Sequence, residues 1–404
     1  MGKSHPGRAL VIGAGSVGSV VVQKCAKNPR VFSEIMLASR TLSKCERIKK
    51  RAAREVEIAQ VDANSATEVI ALIKRFNPDI VINVALPYQD LAIMEACIQT
   101  RVHYLDTANY ESPDVAHFEY KQQWALHDRF QQQGVMAILG CGFDPGASSA
   151  YCMHVGKHYL DQIKTIDILD CNAGDHHRSF ATNFNPEINI REVTQVVRHW
   201  NEGRWVETPS IISPGSTHMP YNFPEAGYRE VYLLYHEELE SLVKHVPGLT
   251  RARFWMTFSD NYLTHLRVLN DVGMTRIDPV TFEGHPVIPL HFLKALLPDP
   301  QSLADNYQGK TVIGCHVTGM KNGKEKAFFI YNVCDHEQAF QEIKANAVAY
   351  TAGVPAACGA ALVLEGRWKG SGVFNIEQLD PDPFLDLMQA SGLPWQLVES
   401  TRLS

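Results

Sequence analysis

Short apolar runs alternate with amphipathic stretches through the first third of the chain. Residues 9–12, 34–38, 56–61, 80–85, 103–106 and 135–139 read as strands, and 16–26, 43–54, 65–76, 89–100 and 118–133 read as the helices between them. Parallel strands need long crossovers, usually helical, so six strands alternating with helices predict a doubly wound parallel sheet. The run Ile80-Val81-Ile82-Asn83-Val84-Ala85 is nearly all β-branched or small, as in a strand covered on both faces.

The rhythm changes beyond residue 160. Residues 163–169, 203–207, 230–235, 252–258, 310–320 and 325–331 read as strands without regular helices between them, and Asn322-Gly323 is a hairpin turn between the last two. That pattern predicts a second, α+β domain with a mainly antiparallel sheet. Such a domain usually covers the crevice of the first and often builds a homodimer. Near the C-terminus, residues 345–352 read as a helix, Gly353-Val354-Pro355 as a break, and 356–365 as its resumption. Small residues at Ala356, Ala357, Gly359, Ala360 and Ala361 let another backbone come close. A last helix starts at Pro381-Asp382-Pro383. The expected division is 1–145 for the parallel-sheet domain, 146–344 for an inserted domain, and 345–404 for a helical return onto the first.

Composition narrows this picture. A chain of 404 residues, 45% hydrophobic and 20% charged, buries a large core and splits into two or three domains. Its 38 basic and 44 acidic residues give a formal charge of −6 without a Lys/Arg block, which argues against nucleic acid as a partner. Nine cysteines, none in a C-x-x-C pair, point to reduced thiols rather than disulfides or a zinc site. The first strand begins within ten residues of Met1 with no charged-then-apolar leader, so a cytosolic location is expected. The longest uncharged run, 347–364, is interrupted by Thr351, Gly353, Pro355 and Gly359, and reads as buried helix rather than membrane span.

The most specific local chemistry lies at Leu10-Val11-Ile12-Gly13-Ala14-Gly15-Ser16-Val17-Gly18, a strand running into G-x-G-x-x-G and a helix. Gly13 makes the tight turn, Gly15 lets a pyrophosphate approach the backbone, and Gly18 allows close packing of the helix, whose N-terminus favours the anion. An NAD site wants a carboxylate at the end of the second strand. This chain has Ser39-Arg40-Thr41 and then Lys44 there. Two hydroxyls and a planar guanidinium suit a 2′-phosphate, so the expected cofactor is NADPH, a Rossmann-type dinucleotide. Asp62-Ala63, at the end of the third strand, either reaches the adenine amino group or caps the next helix. Ala85 and Pro87, in the turn after the fourth strand, lie where the nicotinamide half belongs. The cofactor set is therefore Gly13, Gly15, Ser16, Val17, Gly18, Ser39, Arg40, Thr41, Lys44, Asp62, Ala63, Ala85 and Pro87.

Two further stretches face the same crevice. Gly140-Cys141-Gly142-Phe143-Asp144-Pro145-Gly146 leaves the sheet as a tight turn, and reads equally as turn chemistry or as a loop presenting Asp144 to a substrate. Between Asp170 and Val193 polar residues crowd together with Phe180, Phe184 and Ile188, which a purely solvated loop has little reason to hold. Arg178 or Arg191 can clamp a carboxylate there, and asparagines such as Asn183 can orient an amine. His176-His177 lacks a third ligand at metal spacing, so no metal is expected.

These segments together resemble the saccharopine reductase family along essentially the whole chain. The resemblance rests on the glycine turn at Gly13, Ser39-Arg40-Thr41, Asn83-Val84-Ala85-Leu86-Pro87-Tyr88, and Leu105-Asp106-Thr107-Ala108-Asn109-Tyr110-Glu111. It continues through Gly142-Phe143-Asp144-Pro145-Gly146, Thr182-Asn183-Phe184-Asn185-Pro186-Glu187-Ile188-Asn189, Thr351-Ala352-Gly353-Val354-Pro355-Ala356-Ala357, Asp380-Pro381-Asp382-Pro383-Phe384 and Gly392-Leu393-Pro394-Trp395. It implies joining an amine to an aldehyde as an imine and reducing the imine with NADPH. For the members most like this chain it implies L-aspartate β-semialdehyde and 1,3-diaminopropane or putrescine as substrates, in polyamine synthesis. An α-amino acid end then suits Arg178 or Arg191, and the far ammonium suits Asp144, Glu187 or Asp106. Cys141 or a histidine is a candidate proton shuttle, with a packed thiol the plainer reading of Cys141. Two alternatives remain open at this point: a saccharopine-type reductase using an amino acid as amine, which needs a second cationic clamp, and a cofactor-binding sensor.

Overall fold

The computed structural model describes residues 6–114, 118–401 and 403. Its first sheet has seven strands, all parallel, in the order Gly372–Asn375, Met136–Leu139, His103–Asp106, Ile80–Asn83, Gly7–Ile12, Phe32–Ser39, Glu57–Gln60. The order reverses direction between Gly7–Ile12 and Ile80–Asn83, the place where ligands bind in open α/β sheets. Ile80–Asn83 is buried at every position, as its β-branched sequence requires when helices cover both faces.

A second sheet runs His218–Phe223, Gly227–Leu234, Arg251–Thr257, Gln162–Asn172, Lys310–Lys321, Lys324–Asp335, Trp395–Glu399, with Val197–Asn201 and Arg204–Thr208 branching from Arg251–Thr257. It is antiparallel except where Gln162–Asn172 lies parallel to Arg251–Thr257. The two longest strands close at Asn322-Gly323, where both residues take positive φ, 50° and 74°, as the expected turn demands.

The second domain departs from the sequence reading by carrying helices Glu238–His245, Asp260–Asp271 and Pro289–Leu296 between its strands and by the unexpected strands Val197–Asn201 and His218–Phe223. Three more elements depart elsewhere. The stretch 118–133 forms two short helices, Lys121–Trp124 and His127–Gln133, rather than one. Its start is claimed by the second domain: Tyr235 donates its hydroxyl to the Phe118 carbonyl at 2.8 Å and Glu240 accepts from the Tyr120 N–H at 3.2 Å. The C-terminal segment is not purely helical, because Gly372–Asn375 and Trp395–Glu399 add an edge strand to each sheet. The helix at 345–365 does not break. Ala347–Leu364 is continuous with Pro355 inside it. Proline in a helix interior costs about 3 kcal/mol, and burial offsets this here: 78% of the helix lies inside the structure. A Cβ at Gly353 would sit 2.6 Å from that of Val20, and one at Gly359 2.4 Å from Cys141 Sγ. Glycine therefore lets the helix lie directly on the glycine-loop helix Ser16–Lys27 and the parallel sheet. Its length and apolarity would also suit a membrane span, but its partners are core side chains.

Candidate active site

The glycine turn divides its work among three positions. Gly13 takes φ 118°, and a Cβ there would lie 2.4 Å from the Val84 carbonyl oxygen. A Cβ on Gly18 would lie 2.0 Å from the Gly13 oxygen, so both residues must be glycine for backbone to meet backbone. At Gly15 a Cβ would meet nothing within 4 Å. That open side faces outward at the N-terminus of Ser16–Lys27, which no side chain caps. Free N–H groups and space for an anion thus coincide. Ser16 and Val17, half-buried, form the first turn.

At the end of Phe32–Ser39, Arg40 and Thr41 are exposed and Ser39 is half-buried. No ion pair holds the Arg40 guanidinium among the described residues. Lys44 pairs with Asp299 at 3.2 Å. Asp62 caps nothing. It accepts from the Asn64 N–H and side-chain amide, while Ser65 caps the following helix. Ala63 is buried beside it. Asn83 accepts from the Ala85 N–H at 3.1 Å, and Pro87 opens a short 3-10 turn. From the second domain, Gln301 reaches the Ala14 carbonyl at 3.4 Å, so the segment Pro300–Asn306 leans over the glycine loop. These residues fit a phosphorylated dinucleotide: an uncapped helix, an open glycine and an unpaired guanidinium.

In the short turn after Ile80–Asn83, Tyr88 meets the second domain's helix Pro186–Val193. The Tyr88 hydroxyl donates to Glu187 Oε1 at 2.9 Å, where His291 Nε2 also lies at 3.3 Å, and Lys294 holds the other Glu187 oxygen at 2.7 Å. Burial would raise the Glu187 carboxyl, but Lys294, Tyr88 and His291 outweigh it and hold it below its usual range. The Arg191 guanidinium lies 5.4 Å from the Tyr88 ring centre. Its Nε bonds Glu111 at 2.7 Å, and its other nitrogens bond the carbonyls of Ser112 and Pro113. Burial pushes Glu111 up to about 7 despite that partner.

One residue beyond Arg191, Glu192 enters a buried group of acids around His236. His236 Nδ1 contacts Glu238 closely and lies 3.5 Å from Glu237, and its Nε2 lies 3.5 Å from Glu192. Asp144 and Asp170 share a hydrogen bond nearby and feel the same imidazole. Burial alone would lower His236, but Glu238, Glu237 and Glu192 raise it well above its ordinary value. Burial raises Glu192 to about 8, Asp170 to about 6, and Asp144 well above the carboxylate range. Glu237 also accepts from the Asn109 N–H, tying the group to the loop that carries Glu111.

The residues expected from sequence thus fall into different places. Glu187 and Arg191 both lie against Tyr88, whereas Asp144 lies with Asp170 in the acid group around His236. Asp106 joins neither: it is 1% exposed, and its oxygens are taken by Tyr104, Gln123 and the Gly140 N–H, so it anchors the 140–146 turn. Cys141 is fully buried against Gly359, 3.6 Å from the Pro355 carbonyl, and burial pushes its thiol well up. A thiol so held is a packing group, not a proton shuttle. Asn183 accepts from Tyr307 at 2.6 Å. Arg178 is exposed at a cavity of about 420 Å³ with His176, His177, Ser302 and Gln308, while Arg191 is committed to Glu111 and its loop, so no pair of arginine clamps forms. Sequence reasoning missed Lys294, Glu111, Asp170 and the His236-Glu237-Glu238 run. The signal for the last was present: acids packed directly after the expected strand 230–235.

A cradle of this kind, covered by a second sheet, defines an NADP-dependent oxidoreductase. Two family profiles cover nearly the whole chain, the saccharopine dehydrogenase NADP binding domain over residues 9–138 and the saccharopine dehydrogenase C-terminal domain over residues 142–393. The chain belongs to the saccharopine dehydrogenase family, and it is an enzyme acting on a CH–NH bond. It is 54% identical to a carboxyaminopropylagmatine dehydrogenase from Synechocystis sp., over 97% of both chains. It is 44% identical to a carboxynorspermidine synthase from Vibrio alginolyticus, over 96% of both. The apo histidine-tagged saccharopine dehydrogenase (L-Glu forming) of Saccharomyces cerevisiae superposes with a TM-score of 0.72 at 15% identity, covering 97% of this chain and all of that one. That likeness is one of fold.

Proposed function

We propose that the enzyme condenses L-aspartate β-semialdehyde with agmatine, or with a diamine such as putrescine or 1,3-diaminopropane, and reduces the imine with NADPH. The observation that carries this reading is the end-to-end 54% identity with an enzyme whose name describes a carboxyaminopropyl group on agmatine. Reducing the imine of that aldehyde with agmatine yields such a group. The balance is aldehyde + ammonium + NADPH + H⁺ giving secondary ammonium + NADP⁺ + water. The bound nicotinamide supplies the hydride, so the protein's task is to bind, orient and exclude water.

In this reading Gly13, Gly15 and Gly18 with the first turn at Ser16 and Val17 hold the pyrophosphate, and Ser39, Arg40 and Thr41 hold the 2′-phosphate. Tyr88 stands where the imine meets the nicotinamide. Its hydroxyl, kept protonated by burial and by Glu111 and Glu187, positions the reacting carbon. Arg191 holds the 111–113 loop against the site. An amino acid as amine would need a second clamp for its carboxylate, which Arg178 and Arg191 do not build together.

We further propose a cytosolic homodimer. Support for the compartment comes from nine buried free cysteines. Support for a dimer comes from the exposed side chains Val268, Val272, Phe282, Phe292 and Leu296, all on one excursion of the second domain. The deciding experiment follows loss of NADPH absorbance with the semialdehyde and each of agmatine, putrescine, 1,3-diaminopropane, lysine and glutamate. Turnover with the amines and not with the amino acids is expected; turnover only with lysine or glutamate would overturn the reading.

A further inference from the structure

We infer that the recess around His236 receives the second cation of the amine substrate, an ammonium or a guanidinium, at the end remote from the reacting nitrogen. This rests on the condensation reading above and adds a specificity site to it.

The recess gathers Asp144, Asp170, Glu192, Glu237 and Glu238 around one imidazole. One imidazole stands among five carboxyl groups, and burial holds Asp144 and Glu192 protonated in the absence of a further cation. Oδ2 of Asp144 and Oε1 of Glu238 have no hydrogen-bond partner among the described residues, and Oε1 of Glu192 faces only His236 Nε2, at 3.5 Å. The Glu238 side chain is 0% exposed and that of Glu192 is 9% exposed. Unpartnered acceptors so far from water are costly unless a donor arrives. Asp144 and Asp170 are the partly exposed residues at the edge of the group. Phe254 stacks beneath His236 at 4.3 Å and gives the recess an apolar floor for methylene groups.

Placement supports the same conclusion. Glu192 follows Arg191, whose guanidinium lies against Tyr88, and Glu237 binds the Asn109 N–H on the loop leading to Glu111. The group thus shares the helix Pro186–Val193 and the loop from Asn109 to Glu111 with the residues around Tyr88. Two carboxylates expected from the sequence to bind the far ammonium are already taken: Glu187 by Lys294, His291 and Tyr88, and Asp106 by Tyr104, Gln123 and Gly140. A guanidinium offers five donors in a plane and an ammonium three, and either can reach the unpartnered oxygens of Asp144 and Glu238.

The test compares agmatine, putrescine and n-butylamine, which has the putrescine chain without its second cation, using full-length enzyme with NADPH and the semialdehyde. Wild type should favour the two dications over n-butylamine by about 100-fold or more in kcat/KM, the scale of a buried charge pair. Glu192→Gln and Asp170→Asn should each cut that ratio at least about tenfold, chiefly through the amine KM, with NADPH affinity and melting temperature held as folding controls. A ratio unchanged in both variants overturns the inference while leaving the condensation reading standing. Activity lost on chelation and restored by a divalent ion would assign the recess to a metal and overturn it too. If wild type turns over no amine, the condensation reading fails. Calorimetric binding of agmatine to the NADPH complex then decides the recess by itself: binding that both variants weaken supports it, and binding they leave alone, or none in wild type, rejects it.

Discussion

Tyr88 donates to Glu187 across the crevice at 2.9 Å, joining the turn after strand Ile80–Asn83 to the helix Pro186–Val193 of the other domain. One phenol thus reports on both the cofactor end of the first sheet and the cover supplied by the second. Replacing Tyr88 by Phe keeps the ring over Arg191 and removes only the donor. We expect kcat/KM to fall about tenfold, or ~1.4 kcal/mol of transition-state binding, with the melting temperature little changed. Steady-state kinetics within about twofold of wild type would remove the hydroxyl from the chemistry.

Arg40 stands exposed at the end of the second strand, with no ion pair among the described residues. A charge-assisted bond to a 2′-phosphate is worth about 1.5–3 kcal/mol. Arg40→Ala should therefore weaken NADPH by roughly 10- to 100-fold and leave NADH affinity nearly as it was. Fluorescence titration with both cofactors checks this, and equal losses for the two would deny Arg40 the phosphate.

Gly15 and Gly18 are both in the glycine turn, but their surroundings differ. At Gly15 a methyl group meets open space, whereas at Gly18 it meets the Gly13 carbonyl oxygen at 2.0 Å. Gly15→Ala should fold with a near-wild-type melting temperature and lose at least about tenfold in NADPH affinity, because the methyl occupies the path of the pyrophosphate. Gly18→Ala should lose stability as well, since backbone cannot move aside. Thermal unfolding measured beside cofactor titration separates the two cases.

The buried acids make stability depend on pH in a definite direction. Burial raises Asp106 and Glu111 to about 7 and Glu192 to about 8. Such groups keep their protons in the fold above the pH at which the unfolded chain has released them, so the native state binds more protons and loses stability as pH rises through that window. His236, raised by its acid neighbours, acts in the same sense. His316 and His336, lowered to about 4 by burial, act oppositely, but only below about pH 6.5 where the unfolded imidazole is charged. Between about pH 6.5 and 8 the melting temperature should therefore fall, each acid contributing at most about 1.4 kcal/mol per pH unit. Glu192→Gln should flatten the slope. A melting temperature that is level or rising across this range would contradict these protonation states.

The glycine turn was legible in the sequence because its geometry is local: Gly13 and Gly18 meet backbone within one strand–turn–helix, where spacing fixes conformation. The substrate half was only partly legible. Asp106 and Cys141 carry suitable chemistry and lie at strand ends facing the crevice, yet Tyr104, Gln123 and Gly359 enclose them. Conversely, Lys294 meets Glu187 from 107 residues away, and nothing in local spacing predicts that meeting.

By itself, the sequence determined the alternation of strands and helices, the order of the two sheets along the chain, and the phosphate-binding turn, since periodicity and glycine placement act through nearest neighbours. Only the tertiary structure decided that Pro355 stays inside a helix, that Gly372–Asn375 becomes a seventh strand, and which carboxylates remain without partners. Those outcomes depend on burial, which outweighs a helix breaker's cost and sets a carboxyl's charge. Burial in turn depends on residues that meet only after the two sheets have closed on each other.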